Sequence, residues 1–145
     1  MQTLLLGPDD VTDYADLPSI VDAVAAAFAA DWRGDTVMPA KSYIDLPEYN
    51  GDFRSMPAYV HAGDWDAAAV KWVNVHPDNP VDHDLPTVLG TMIYSDPETA
   101  FPLAVMDGTN LTRLRTGAPA AAAPAHLAVP AADPLGLVGA AAQPH

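Results

Sequence analysis

A succession of short apolar segments separated by turn residues constrains the fold of this chain most strongly. Between residues 42 and 106, apolar and β-branched runs alternate with turns built from proline, glycine, asparagine and aspartate. This pattern predicts strands at 42–46, 55–61, 68–75, 87–94 and 101–106. The turn at 95–99 is tight, so we expect an antiparallel hairpin on either side of it.

One long helix precedes these strands. The apolar residues Ile20, Val24 and Phe28 recur at four-residue intervals, which predicts a helix from Asp16 to Gly34 with one apolar face. A short strand is expected at 2–6, and a helical pattern returns after Thr109. Consecutive strands with short connections beside one long helix indicate the α+β class, with the helix packed on a mostly antiparallel sheet or an open barrel.

The last part of the chain has a different composition. Residues 118–132 are almost entirely alanine and proline, and Pro119 and Pro124 fall where a helix would have to continue. An apolar segment at 135–139 then runs into the small residues 139–143, as at the opening of a dinucleotide-binding unit. A complete βαβ unit needs about 30 residues. We therefore expect one domain at 1–117 and, at 118–145, a tail that holds only the first strand and loop of such a unit.

Composition excludes several classes of function. The chain has 145 residues and no cysteine, with 19 carboxylates against 6 lysines and arginines, for a formal net charge of −13. Such a chain has no basic surface to meet nucleic-acid phosphates, and no run is long enough to span a bilayer. The start of the sequence also lacks the basic residues and cleavage pattern of a signal peptide, so we expect a cytoplasmic protein. Dispersed acids with few lysines indicate adaptation to high salt, the alternative being an acidic interaction surface.

Four of the rare cations lie in the most patterned segments: Lys41, Arg54, Lys71 and Arg115. Lys71 stands out because it lies between three alanines and a valine on one side and Trp72 on the other. A cation on an apolar strand needs an anionic partner, since burying it alone is costly. These cations predict a site for a small carboxylate, in which Lys71 either orients the anion or serves as an acid or base.

Each cation also has a purely structural interpretation. Lys71 could face solvent on a strand, and Lys41 could lie on the surface. Arg54 could pair with Asp52 or Asp45 in an ordinary surface ion pair. Arg113 and Arg115 are two residues apart on a predicted helix, so at most one of them should face a cleft.

The histidines do not form a convincing metal site. The segments His76-Pro77-Asp78 and Asp82-His83-Asp84 contain ligand types but lack zinc-type spacing, so no bound metal is expected. The chain also lacks a phosphate-binding glycine loop of the GxxxxGK[ST] type and a recognisable serine nucleophile pattern.

Taken together, several segments resemble a known family. MPAKSYIDLP, GDFRSMPAY, VKWVNVHPDNP, LPTVLGTMIYSDPETAFPLAVMDGTNLTRLRTGA and LGLVGAAAQ follow one another as in the amino-terminal part of the ornithine cyclodeaminase/μ-crystallin family. The resemblance is closest to archaeal-type alanine dehydrogenases. It implies a homodimeric, NAD-dependent enzyme with an α+β substrate domain and a Rossmann domain, of which this chain would be a truncated form.

The resemblance also assigns residues. It implies a catalytic role for Lys71 and substrate-binding roles for Lys41, Arg54 and Arg115. It implies cofactor contacts from five residues: Thr87, Thr116, Gly139, Ala141 and Gln143. The usual Gly-x-Gly loop reads Gly139-Ala140-Ala141 here, and the β-carbon at 141 obstructs close approach of a pyrophosphate.

The resemblance implies one of two substrates, alanine or ornithine. Cyclodeaminase-type members have a glutamate where this chain has Arg54, suited to a terminal ammonium group. An arginine there favours a short uncharged side chain, so we expect alanine and pyruvate in preference to ornithine. The alternative class is a non-catalytic module that dimerises or binds a small carboxylate.

Overall fold

A computed structural model describes residues 2–129 and Gly136. Seven strands form one open sheet in the order β1-β7-β6-β5-β4-β2, with β3 also paired to β4. The strands are β1 (Leu4–Leu6), β2 (Thr36–Val37), β3 (Ser42–Leu46), β4 (Gly51–Ala62), β5 (Trp65–Val75), β6 (Val88–Ser95) and β7 (Pro102–Asp107). All pairings are antiparallel except that of β1 with β7. The predicted α+β class with a mostly antiparallel sheet is confirmed, and the sheet is open.

The helices are α1 (Pro8–Asp13), α2 (Leu17–Arg33), α3 (Asn79–Asp82) and α4 (Gly108–Leu127). The ends of α2 follow from its sequence. The Asp16 carboxylate accepts a hydrogen bond from the Ser19 amide, and Gly34 ends the helix in the left-handed conformation with φ 82°. The predicted helix at 16–34 is confirmed. The Asp107 carboxylate caps α4 by accepting from the amides of Thr109 and Asn110.

The sheet has two different faces. Residues directly opposite each other on antiparallel strands point to the same side, and the side alternates along each strand. Met56, Lys71 and Met92 are cross-strand partners, so they share a face. The Lys71 side chain contacts Thr112 of α4, and α2 packs against α4. Both long helices therefore lie on the Lys71 face, and no helix of the described residues covers the opposite face.

A pair of glycines brings α4 close to the sheet. A β-carbon on Gly108 would lie 2.8 Å from the carbonyl carbon of Gly90 in β6, well inside van der Waals contact. Because Gly108 lacks a side chain, the first turn of α4 rests directly on the β6 backbone, and the Gly90 amide donates to Thr109 Oγ1 at 3.1 Å. This close approach sets how far the next turns of α4 stand from Lys71.

The structure revises two sequence expectations. α4 continues through Pro119 and Pro124 to Leu127, past the predicted boundary between 117 and 118. The alanines between the prolines favour a helix, and Ala118 is buried, so packing and propensity offset the lost backbone hydrogen bonds. β4 begins at Gly51 and not at residue 55, which puts Arg54 within a strand. The division into 1–117 and 118–145 otherwise stays a prediction.

Candidate carboxylate-binding site

A cavity of about 530 Å³ lies between α4 and the helix-covered face of the sheet. Three of the four predicted cations line it: Lys41 from the loop before β3, Lys71 from β5 and Arg115 from α4. Methionines, prolines, alanines, Leu111 and Thr112 complete the walls, and no aspartate or glutamate is among the described residues that line it. In a chain of net charge −13, this cavity is a local concentration of positive charge.

Lys71 lies at the floor of this cavity. It is only 8% exposed, and its Nζ donates to Thr112 Oγ1 at 3.3 Å. Among the described residues it makes no ion pair. Burial lowers the pKa of Lys71, and the charges of Arg115 and then Lys41 lower it further. A buried cation beside two like charges is unfavourable until an anion joins it.

α4 selects which of its two arginines reaches the cavity. Thr112 and Arg115 are three residues apart and so lie on one side of the helix, both lining the cavity. Both arginines are exposed, but Arg113 does not line the cavity, and its Nη1 donates to Asn110 Oδ1 at 3.4 Å. The expectation that at most one of Arg113 and Arg115 faces a cleft is confirmed.

Arg54 points to the same face of the sheet but does not line the cavity. Its Nε and Nη2 each donate to one carboxylate oxygen of Asp52 at 2.7 Å, and its guanidinium lies 5.3 Å from the centre of the Tyr43 ring. The hydrogen bonds to Arg54 lower the pKa of Asp52, and the same bonds raise the pKa of Arg54. Arg54 therefore forms the ion pair with Asp52 that the sequence analysis gave as its structural interpretation. Its role in substrate binding stays a prediction.

The predicted cofactor contacts lie in different places. Gly139, Ala141 and Gln143 are outside the described residues. Thr87 precedes β6, five residues before the cavity residue Met92, or about 17 Å along an extended strand. Thr116 lies on α4 one turn beyond Thr112, and its Oγ1 is buried without a hydrogen-bond partner among the described residues.

The fit of these residues to NAD is partial. The unpartnered Thr116 hydroxyl has the free hydrogen-bonding capacity that a nicotinamide carboxamide requires, but its oxygen is buried. A ligand reaches this hydroxyl only after the atoms that cover it move. The described residues thus include the cationic cavity, whereas the predicted pyrophosphate loop lies beyond them.

Sequence reasoning missed the residues that shape the cavity. Met38, Met56, Met92 and Leu111 are single apolar residues with no pattern of their own, and only strand register brings two of them beside Lys71. Thr112 had a usable signal, because a position three residues before Arg115 on a helix lies on the same side. Among the described residues, no group of three metal-ligand side chains comes together. The helices described are also too short or not apolar enough to cross a membrane.

Comparison with known proteins gives this arrangement a family context. Residues 1–145 match the model of the ornithine cyclodeaminase/mu-crystallin family. The chain belongs to this family. The resemblance inferred from the sequence is confirmed, including its similarity to an archaeal alanine dehydrogenase: the chain is 41% identical over 143 residues to alanine dehydrogenase from Archaeoglobus fulgidus.

Solved structures of family members share the fold. An archaeal alanine dehydrogenase dimer with bound NAD superposes with a TM-score of 0.81 at 43% identity, over 89% of this chain and 38% of that protein. The Delta(1)-pyrroline-2-carboxylate reductase of Thermococcus litoralis, in complex with NADH and L-proline, has a TM-score of 0.81 at 35% identity, over 88% of this chain and 38% of that protein. The match to the A. fulgidus enzyme covers 99% of this chain and 42% of the relative. The chain thus spans well under half the length of these relatives.

Proposed function

We propose that this chain forms the carboxylate-binding site of an NAD-dependent enzyme that interconverts a small amino acid and its 2-oxo acid. The observation that carries the proposal is the convergence of Lys41, Lys71 and Arg115 on a cavity that no carboxylate of the described residues lines. Among the described residues these three cations make no ion pair; Lys41 and Arg115 are exposed, whereas Lys71 is buried, so the charge of Lys71 gains most from a bound carboxylate. The family relationship supports the reaction class, since solved relatives hold NAD, or NADH with L-proline.

The cations have separate tasks in this proposal. Arg115 offers a planar guanidinium that can hold both oxygens of a carboxylate. Lys41 adds a second positive charge at the loop edge of the cavity. NAD, when bound, accepts the hydride from the substrate α-carbon. Together, Arg115 and Lys41 fix the orientation of the substrate in the cavity.

Lys71 is proposed as the catalytic group. Its lowered pKa brings its protonation equilibrium closer to neutral pH, where an amine can both donate and accept a proton. Its Nζ is held by Thr112 Oγ1 and surrounded by apolar walls, which limit competition from water. In the proposed reaction, Lys71 Nζ moves a proton to or from the oxygen or nitrogen on the substrate α-carbon.

Alanine in preference to ornithine remains our substrate proposal within this class. It depends on Arg54, whose charge is paired with Asp52 in the structure, so any repulsion of a terminal ammonium is weakened. An exchange of Arg54 for glutamate in an active enzyme tests it directly. Unchanged preference between alanine and ornithine in Arg54→Glu would contradict the proposal.

The opposite face of the sheet supports a homodimer. A row of apolar residues crosses five strands on that face, with Leu5, Val105, Ile93, Val70 and Pro57 as successive neighbours. Leu5 is 79% exposed and Ile93 is 37% exposed. No described helix covers this row, and an exposed apolar surface of this kind is typical of an interaction site.

A non-catalytic module that only dimerises through this face or binds a carboxylate is the second candidate. The same apolar row and the same cavity favour it, without hydride transfer. We further propose a halophilic protein, because the negative charge of −13 repels itself least when salt screens it. The cytoplasmic location expected from the sequence stays a proposal.

Calorimetric titration with pyruvate, in several molar KCl, tests the carboxylate site. Arg115→Met should weaken pyruvate binding by about 10- to 100-fold, because a hydrogen-bonded charge contact is lost. Arg113→Met is the matched control, since it removes the same charge from the same helix outside the cavity. Equal losses in the two variants, or no pyruvate binding by the parent protein, would contradict the proposal. Binding of NADH in a further titration would favour the enzyme over the non-catalytic module.

A further inference from the structure

A second cavity of about 390 Å³ adjoins the cationic one. It lies between α2, α4 and the sheet, and it shares three lining residues with the first: Met38, Ala58 and Arg115. The two spaces therefore meet at the guanidinium that we assign to the substrate carboxylate. A molecule held at Arg115 has this second cavity directly beside it.

Small side chains on the sheet create this space. Ala58 of β4 pairs with Ala69 of β5, and Val60 pairs with Ala67, all on the helix-covered face. Two strand positions further along, the same face has the larger Met56 and Lys71. Because α2 packs mainly against α4 and makes little contact with the sheet, the alanines remain uncovered and a gap persists above them.

The walls of this second cavity are mostly apolar. From α2 come Val24, Ala27 and Phe28, and the space opens to solvent on this side, since Phe28 is 62% exposed. Among the described residues that line the space, Asp31 is the one charged residue besides Arg115, and its Oδ1 already accepts a hydrogen bond from Thr36 Oγ1 at 2.5 Å. An apolar space of this size gains most from an aliphatic group, and the methyl group of pyruvate would occupy only a small part of it.

We propose that the cavity beside Ala27 and Ala69 receives the side chain of the substrate, and that the site prefers 2-oxo and 2-amino acids with a branched, uncharged aliphatic side chain over pyruvate and alanine. This inference rests on the proposed carboxylate site and changes only the size of the expected substrate side chain. Arg115 stands at the junction and holds the carboxylate, while the side chain extends over the alanines towards α2.

Titration with two acids that differ only in side-chain size tests this preference. 4-Methyl-2-oxopentanoate should bind about 10- to 100-fold more tightly than pyruvate, because its extra carbons leave water for an apolar space. Equal or weaker binding of the larger acid would overturn the inference. If pyruvate still binds, the carboxylate site survives that result, whereas failure of both acids to bind would reject the proposed function as well.

Neighbouring alanines of α2 provide a matched pair of variants. Ala27→Phe should fill the cavity and reduce the affinity for 4-methyl-2-oxopentanoate to that for pyruvate, with pyruvate binding unchanged. Ala26→Phe puts the same ring on the same helix, at a residue that does not line the cavity, and should change neither affinity. Equal effects of the two substitutions would overturn the assignment, and this comparison does not depend on the wild-type ratio of affinities.

A cationic side chain is the competing occupant. If L-ornithine binds more tightly than L-leucine, and Asp31→Asn abolishes that difference, the cavity pairs an ammonium group with Asp31 and the inference fails. Tighter binding of L-leucine, unaffected by Asp31→Asn, supports it.

Discussion

Lys71 and Arg54 lie on adjacent strands and point to the same face of the sheet, yet the structure treats their charges differently. Arg54 is paired through two hydrogen bonds with Asp52, two residues away on its own strand. Lys71 is buried beside Arg115 and Lys41, and its ammonium group donates one hydrogen bond, to the uncharged Thr112 hydroxyl. The charge of a cation beside a carboxylate is already paired within the protein. A buried cation without one is available to a ligand.

The largest expected effect is a difference in pyruvate affinity between variants of Lys71 and Arg54. Lys71→Met should weaken pyruvate binding by about 10- to 100-fold, because a charge-assisted contact inside an apolar cavity is lost. Arg54→Met should leave the affinity for pyruvate nearly unchanged, since Arg54 does not line the cavity. Calorimetric titration of both variants measures the contrast. A comparable loss in Arg54→Met would mean that Arg54 leaves Asp52 to bind substrate, as the family resemblance implies.

The next effect concerns pH. An anion beside Lys71 favours its protonated form, so the pKa of Lys71 is higher in the complex than in the free protein, where it is lowered. Pyruvate binding should therefore take up protons, and its affinity should fall as pH rises from the free pKa towards that of the complex. Titrations in buffers of different ionisation enthalpy measure this uptake. Lys71→Met should abolish it, and a persistent uptake in that variant would assign the proton to another group.

A smaller effect, on the melting temperature, is expected from the ion pair between Arg54 and Asp52. Hydrogen bonds from Arg54 lower the folded-state pKa of Asp52 below the ordinary value of 3.8. The pair therefore stabilises the fold above the unfolded pKa, and this contribution is lost as pH falls through the folded pKa. Asp52→Asn should lower the melting temperature slightly at neutral pH and less at low pH. Asp45→Asn, which removes a carboxylate from the cross-strand partner of Asp52, is the control.

The smallest effect concerns Thr112. Its hydroxyl holds Lys71 Nζ through a long hydrogen bond of 3.3 Å. Thr112→Val keeps the shape of the side chain and removes that bond, so pyruvate affinity should change by no more than about 10-fold. A loss as large as that of Lys71→Met would show that Thr112 fixes the ammonium group and does not merely contact it.

The sequence by itself determined the elements and the family of this protein. The spacing of Ile20, Val24 and Phe28 predicted α2, and the strand at 42–46 was predicted with its observed bounds. Ordered segments such as MPAKSYIDLP and VKWVNVHPDNP identified the family, which the match over residues 1–145 confirms. These features depend on residues close together in the chain, so local spacing and composition carry them.

Only the tertiary structure decided which cations meet. Lys71 and Arg115 are 44 positions apart by number, and strand register with the close approach of Gly108 to Gly90 brings them to one cavity. The strand that contains Arg54 begins earlier than its turn residues indicated, which sets Arg54 beside Asp52. The alanines of the sheet line a cavity only because α2 packs on α4 and not on them, and the sequence does not show this packing. Contacts between distant segments depend on register and packing, which no single segment specifies.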